Sequence, residues 1–186
     1  MSRAYRIAVK ESVTRTVRVE DGVSAALELL PILATERMGT LLGEELERRG
    51  FVRDGDTCRR TESDGVEIEI HLPTARLTAR IVGEETVEKT LTRERRIDQN
   101  KQASEEKKLR TEVQAQLEEQ IEKRRKELSD ALAAKLERKL ADLKKELDQV
   151  TTRTTATALK ERASQLGQIE EIREEADGSM TIKVRL

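Results

Sequence analysis

Tryptophan is absent, and Tyr5 and Phe51 are the only aromatic residues among 186. With so few flat rings, the chain has no stacking platform for single-stranded nucleic acid. The lone cysteine, Cys58, excludes a disulfide within the chain, and the lone histidine, His71, leaves no His/Cys zinc set. Neither sign of charge is in excess: 36 Lys and Arg face 37 Asp and Glu, for a formal net charge of −1. A generic nucleic-acid binder or a polybasic membrane-surface protein needs a basic surplus that is missing here. No stretch approaches the roughly 18 consecutive apolar residues of a membrane span, and the N-terminus has no apolar signal core. A soluble, cytoplasmic protein without membrane insertion is expected, with nucleic acid disfavoured as a partner. No G-x-x-x-x-G-K-[ST], H-E-x-x-H or G-x-S-x-G pattern occurs, so neither a cofactor nor an enzymatic activity is expected.

What the chain does have is charge, at 39% of residues against about 25% in an ordinary domain. Its composition also divides. Residues 1–97 hold seven of the nine glycines, both prolines, both aromatics, the cysteine and the histidine. Residues 98–166 contain none of these types, and residues 167–186 return to a Gly-containing alternation. The reading is an α+β protein in three parts: an antiparallel β-rich module over 1–97 with one packed helix, a long helical coiled-coil arm over 98–166, and a β-hairpin over 167–186.

In the first part Tyr5, Ile7 and Val9, then Val13, Val17 and Val19, recur at even spacing, which is the strand signal. Asp21-Gly22 is expected to end that run. Asp-Gly recurs at 54–55, 64–65 and 177–178, each able to form a tight turn. Val66, Ile68, Ile70 and Leu72 share one strand face, and Ala75, Leu77, Ala79 and Ile81 are expected to resume it after Pro73-Thr74. Val87 to Leu91 suits a further strand, with a helix open as an alternative, and residues 23–33 suit either. From about Thr35 to Arg49, Met38, Leu41, Leu42 and Leu46 form a helical face, with Gly50 placed as a C-terminal cap and Phe51 as its hydrophobic contact.

The long segment is the strongest signal. Apolar stops run from Leu109 through Val113, Leu117 and Ile121, then from Leu128 to Val150, at about 3.7 residues per step once a missing stop near Arg125 is supplied. One isolated helix leaves such a stripe wet, so a helical partner is expected. Ser129–Leu132 lacks the Gly or Pro of a turn, which favours one continuous helix and a homodimer through residues 109–150 over a helical hairpin. Leu159, Ala163 and Leu166 extend the stripe beyond the Thr-rich stretch 151–155, until Gly167 caps it. Met180, Ile182, Val184 and Leu186 then alternate in a strand whose partner is 169–175. A lone hairpin is marginal in water, so its apolar face is expected to dock on the larger sheet.

Several side-chain groups could carry function. Glu67, Glu69 and His71 lie on one strand face at i, i+2 and i+4, a spacing that could hold a divalent metal. Arg76 and Arg80 on the next strand should neutralise that face instead. Gly39 and Gly43 form G-x-x-x-G on a helix too short to span a membrane, which favours close packing onto the sheet. Cys58 beside Arg59 and Arg60 has neither a second cysteine nor an evident base. Arg93, Arg95 and Arg96 are expected at the entry to the long helix. Lys123, Arg124, Arg125 and Lys126 occupy the gap in the apolar stripe, where a polar seam can set register or offer a protein partner a docking point.

The opening Met1-Ser-Arg-Ala-Tyr-Arg-Ile7, the Leu27-Glu-Leu-Leu-Pro31 run, the Gly50-Phe51 exit and the closing Asp177-Gly-Ser-Met-Thr-Ile-Lys-Val-Arg-Leu186 resemble an uncharacterised domain family of bacterial FtsH ternary systems. Those gene cassettes combine a MoxR-type AAA+ ATPase and a von Willebrand A protein with FtsH-like components. The resemblance spans the chain, supplies no catalytic residues, and implies work beside an ATPase machine. The expected function is that of a non-enzymatic interaction or adaptor protein in a multi-protein assembly associated with an AAA+ ATPase system. The alternatives are a nucleic-acid-associated bridging coiled coil and a metal-dependent enzyme built on the Glu67/Glu69/His71 face.

Overall fold

The computed structural model describes residues 4–98, 102–174 and 180–185. In chain order these form β1 (Ala4–Ala26), α1 (Thr35–Glu47), β2 (Val52–Asp54), β3 (Thr57–Thr61), β4 (Val66–His71), β5 (Arg76–Asp98), α2 (Gln102–Leu166), β6 (Gln168–Glu174) and β7 (Met180–Arg185). The fold is α+β. Five antiparallel strands lie in the order β1-β5-β4-β3-β2, and β6 and β7 form a separate two-stranded sheet.

Both long strands exceed expectation. β1 does not stop at Asp21-Gly22 but continues to Ala26. Gly22 serves close approach rather than a turn, since a Cβ there would sit 3.1 Å from the Ala79 carbonyl oxygen. β5 absorbs the stretch around Val87–Leu91, so Arg93, Arg95 and Arg96 belong to a strand and not to a helix entry. The Asp-Gly turns at 54–55 and 64–65 form as expected, with Gly55 and Gly65 at φ of 58° and 84°. Asp177-Gly178 lies outside the described residues. Within the β4/β5 hairpin Glu67 pairs with Arg80, Ile68 with Ala79, Ile70 with Leu77 and His71 with Arg76, which keeps the apolar residues on one face.

The chain divides into two compact units, each assembled from separated stretches: Met1–Glu20 with Val82–Ala133, and Asp21–Ile81 with Ala134–Leu186. The units cut across β1, β5 and α2.

In the first unit, the apolar face of the strands covers the helix stripe. Ile7 and Val9 pack with Leu109, Val113 and Leu117. Val17 and Val87 pack with Ile121, and Leu128 lies at the margin of that cluster. Leu132 closes on Gly83 so tightly that a Cβ there would meet its Cδ1 at 2.8 Å. Ion pairs fix the helix on the strands: Arg110 with Glu11 at 2.9 Å, Arg15 with Glu118 at 2.7 Å and Arg95 with Glu112 at 2.7 Å. The helix stripe therefore finds its cover in strands of the same chain. The homodimer expected through residues 109–150 loses the exposed apolar surface that was its driving force.

In the second unit, α1 ends as expected. Gly50 stands at φ 82°, its N–H donates to the Glu47 carbonyl at 3.0 Å, and the Phe51 N–H donates to the Leu46 carbonyl at 3.2 Å. Met38 and Leu41 pack on Ala158, with Leu29, Ile32 and Leu33 at the edge. This moves the end of the α2 stripe. Val150 is followed by Thr154 and Ala158, both buried, and Ala163 is buried as expected, whereas Leu159 and Leu166 are exposed. Small residues stand there because α1 comes close. Residues 151–155 continue the helix without a break, and α2 is one 65-residue helix rather than a hairpin. The hairpin β6–β7 does not join the five-stranded sheet. Its strands set apolar residues side by side, Ile169 opposite Val184 and Ile172 opposite Ile182, and Ile172 remains 40% exposed. It is anchored at the end of α2, where Gly167 lets the Arg185 carbonyl pass against its backbone.

Candidate functional site

Two of the three residues on the strand face with metal-ligand spacing are held by local bonds. His71 Nδ1 lies 2.7 Å from Thr74 Oγ1, Glu69 accepts from Arg59 Nε at 2.9 Å, and Glu67 stands opposite Arg80. Among the described residues, no group of three or more His, Cys, Asp or Glu side chains is arranged to hold a metal ion. Cys58 is fully buried, and burial pushes its thiol pKa up against the opposing influence of Arg53, so it is a poor nucleophile. Gly39 and Gly43 face Leu72, with the Arg53 guanidinium a further close neighbour of Gly43. That is close packing of α1 onto the sheet.

The basic cluster of α2 divides by face. Arg124 reaches Glu85 on β5 at 3.0 Å and Glu127 at 3.0 Å, so its charge already has two partners. Arg125, at the gap in the stripe, pairs with Glu122 at 3.7 Å and is exposed. Lys123 and Lys126 are also exposed. Arg125 leaves the stripe at that step to face solvent, and Leu128 resumes it.

Two features of the second unit escape a reading of the sequence. The first is a charged cluster at a cleft of about 450 Å³ between β3 and α2. Arg60 forms a bidentate pair with Glu146, Nη1 to Oε1 at 2.8 Å and Nη2 to Oε2 at 2.7 Å, and donates to Glu62 at 2.7 Å. Lys139 completes the set by donating to the other oxygen of Glu62 at 2.6 Å. The Arg60 guanidinium also stacks 4.2 Å from the centre of the Phe51 ring. Arg60 thereby holds the Glu146 carboxyl below the usual carboxylate range. Both cations of the cluster are already paired, so it clamps the helix to the sheet and has no spare positive charge for an anion.

The second is an apolar groove of about 760 Å³, walled by Val23, Leu27 and Leu77 on one side and Leu140 and Leu147 on the other. Glu28, Lys144 and Asp148 set a rim of mixed charge. Val23 is 37% exposed within it. A concave apolar strip with a charged rim suits contact with a protein surface rather than turnover of a small polar substrate.

No helix among the described residues is long and apolar enough to cross a membrane. No curated protein and no solved structure matches the chain. One family model does, over residues 1–186, and its description is FtsH ternary system domain X5. With that match covering every element described above, the chain belongs to the FtsH ternary system domain X5 family.

Proposed function

We propose that the chain is a non-enzymatic adaptor of a multi-protein assembly, working beside an AAA+ ATPase. The observation that carries this reading is the apolar groove of the second unit, with Val23 exposed in its wall and Glu28, Lys144 and Asp148 on its rim. The family name, a ternary system, supports partners that are proteins. The bonds of Glu69 to Arg59 and of His71 to Thr74, with Glu67 opposite Arg80 in the register, favour this reading over a metal-dependent enzyme.

The test mixes the purified chain with each protein encoded beside it, the MoxR-type ATPase and the von Willebrand A protein first, and measures binding by calorimetry. Binding to at least one component is expected, weakened by Val23→Lys with the melting temperature of the free chain unchanged. Absence of binding to every component overturns the reading. So does a turnover activity of the isolated chain.

A further inference from the structure

We propose that the free edge of β1 is a self-association surface, along which a second copy of this chain adds its own β1 antiparallel about a two-fold axis at Val13. This does not depend on the adaptor reading. β1 is terminal in the order β1-β5-β4-β3-β2, and residues 4–20 make no backbone hydrogen bond outside their strand pairing among the described residues. An edge this long is a template for another strand unless something covers it.

The sequence of β1 selects both the occupant and the register. Its odd-numbered residues face α2: Ile7, Val9 and Val17 are buried there, and Glu11 and Arg15 pair with Arg110 and Glu118. When two copies pair antiparallel, faces match only if the two-fold passes through a residue rather than between two. About Val13, Arg6 meets Glu20 of the second copy and Glu11 meets its Arg15, each twice. On the helix-facing side Ile7 meets Val19 and Val9 meets Val17. No like charges oppose one another.

Every neighbouring register fails that condition. A two-fold at Ser12 sets Arg6 against Arg18, and one at Thr14 sets Lys10 against Arg18. Centres at Glu11 or Arg15 set each of those charges against its own copy. Like charges directly opposite are destabilising, so this register stands out from its neighbours, and along the whole strand it sets the most opposite charges face to face. A heterologous strand has no reason to match this pattern; a second β1 matches it by symmetry.

The full chain is studied by sedimentation equilibrium. A dimer is expected for the wild type. Arg6→Glu and Glu20→Arg should each weaken it about tenfold or more, because each replaces two attractive cross-strand pairs with repulsive ones. An equimolar mixture of the two variants should recover the dimer. The introduced glutamate of one copy then faces the introduced arginine of the other, and the unaltered Glu20 of the first faces the unaltered Arg6 of the second. In the wild type, amide exchange over residues 6–20 should slow as concentration rises, a measurement that needs no variant to fold. A wild-type monomer at high micromolar concentration overturns the proposal. So do two single variants that dimerise as tightly as the wild type, a mixture that fails to recover, or exchange over 6–20 that ignores concentration.

Discussion

Hydroxyl groups show how tightly single residues are accounted for. Thr151, Thr152 and Thr157 return their Oγ1 to helix carbonyls three or four residues back. Thr154 Oγ1 is buried and has no hydrogen-bond partner among the described residues. Removing that hydroxyl at constant shape should help, because an unsatisfied buried donor costs about 1–3 kcal/mol. Thr154→Val is therefore expected to raise the melting temperature, read by calorimetry, whereas Thr154→Ala also opens a void and should not. Glu146 gives a second prediction. Hydrogen bonding from Arg60 lowers its carboxyl from the ordinary 4.5. A folded value below the unfolded one means stabilisation that is present above the unfolded value and lost as pH falls through the folded value. Glu146→Gln should destabilise at neutral pH, and the gap to wild type should close in denaturant titrations carried down through about pH 4 and below.

Elements are legible wherever their signal is local. The alternation of Val66–Leu72 and Leu77–Ile81 yields the β4/β5 register, Gly50-Phe51 yields the end of α1, and the 3.7-residue step yields the buried face of α2. What covers that face is a non-local fact, and periodicity carries no information about whether strands or a helix lie against it. The same holds for the clamp at the cleft: Lys139 and Glu62 are 77 residues apart, and nothing near either names the other. Gly22 misleads because a glycine needed for backbone proximity looks, in sequence, like one needed for a turn. Gly167 is the counterpart at the far end of α2, where the Arg185 carbonyl passes against it. Gly167→Ala should displace β7 from the helix terminus. Faster amide exchange confined to β6 and β7, with the five-stranded sheet unaffected, is the expected result.

At the scale of the whole molecule, charge balance is the governing property. The cations with the most elaborate surroundings, Arg60, Arg95 and Arg124, are all committed to carboxylates of the same chain. Phosphate binding needs released counterions and unspent positive charge. Gel shifts with duplex DNA should therefore show no retardation, even at low salt. The composition of the two units has a further consequence, for the order of events as the chain emerges from the ribosome. The first unit joins Met1–Glu20 to Val82–Ala133, and the second joins Asp21–Ile81 to Ala134–Leu186. Neither is a continuous stretch, so the edge strand β1 is synthesised long before the helix segments that cover its apolar face. Until then that face stays wet, in the kind of interval when nascent chains aggregate or recruit chaperones. No single cut in the polypeptide can separate the two units with both intact. A protease, a truncation or a fusion junction placed anywhere between residues 21 and 133 therefore severs both at once.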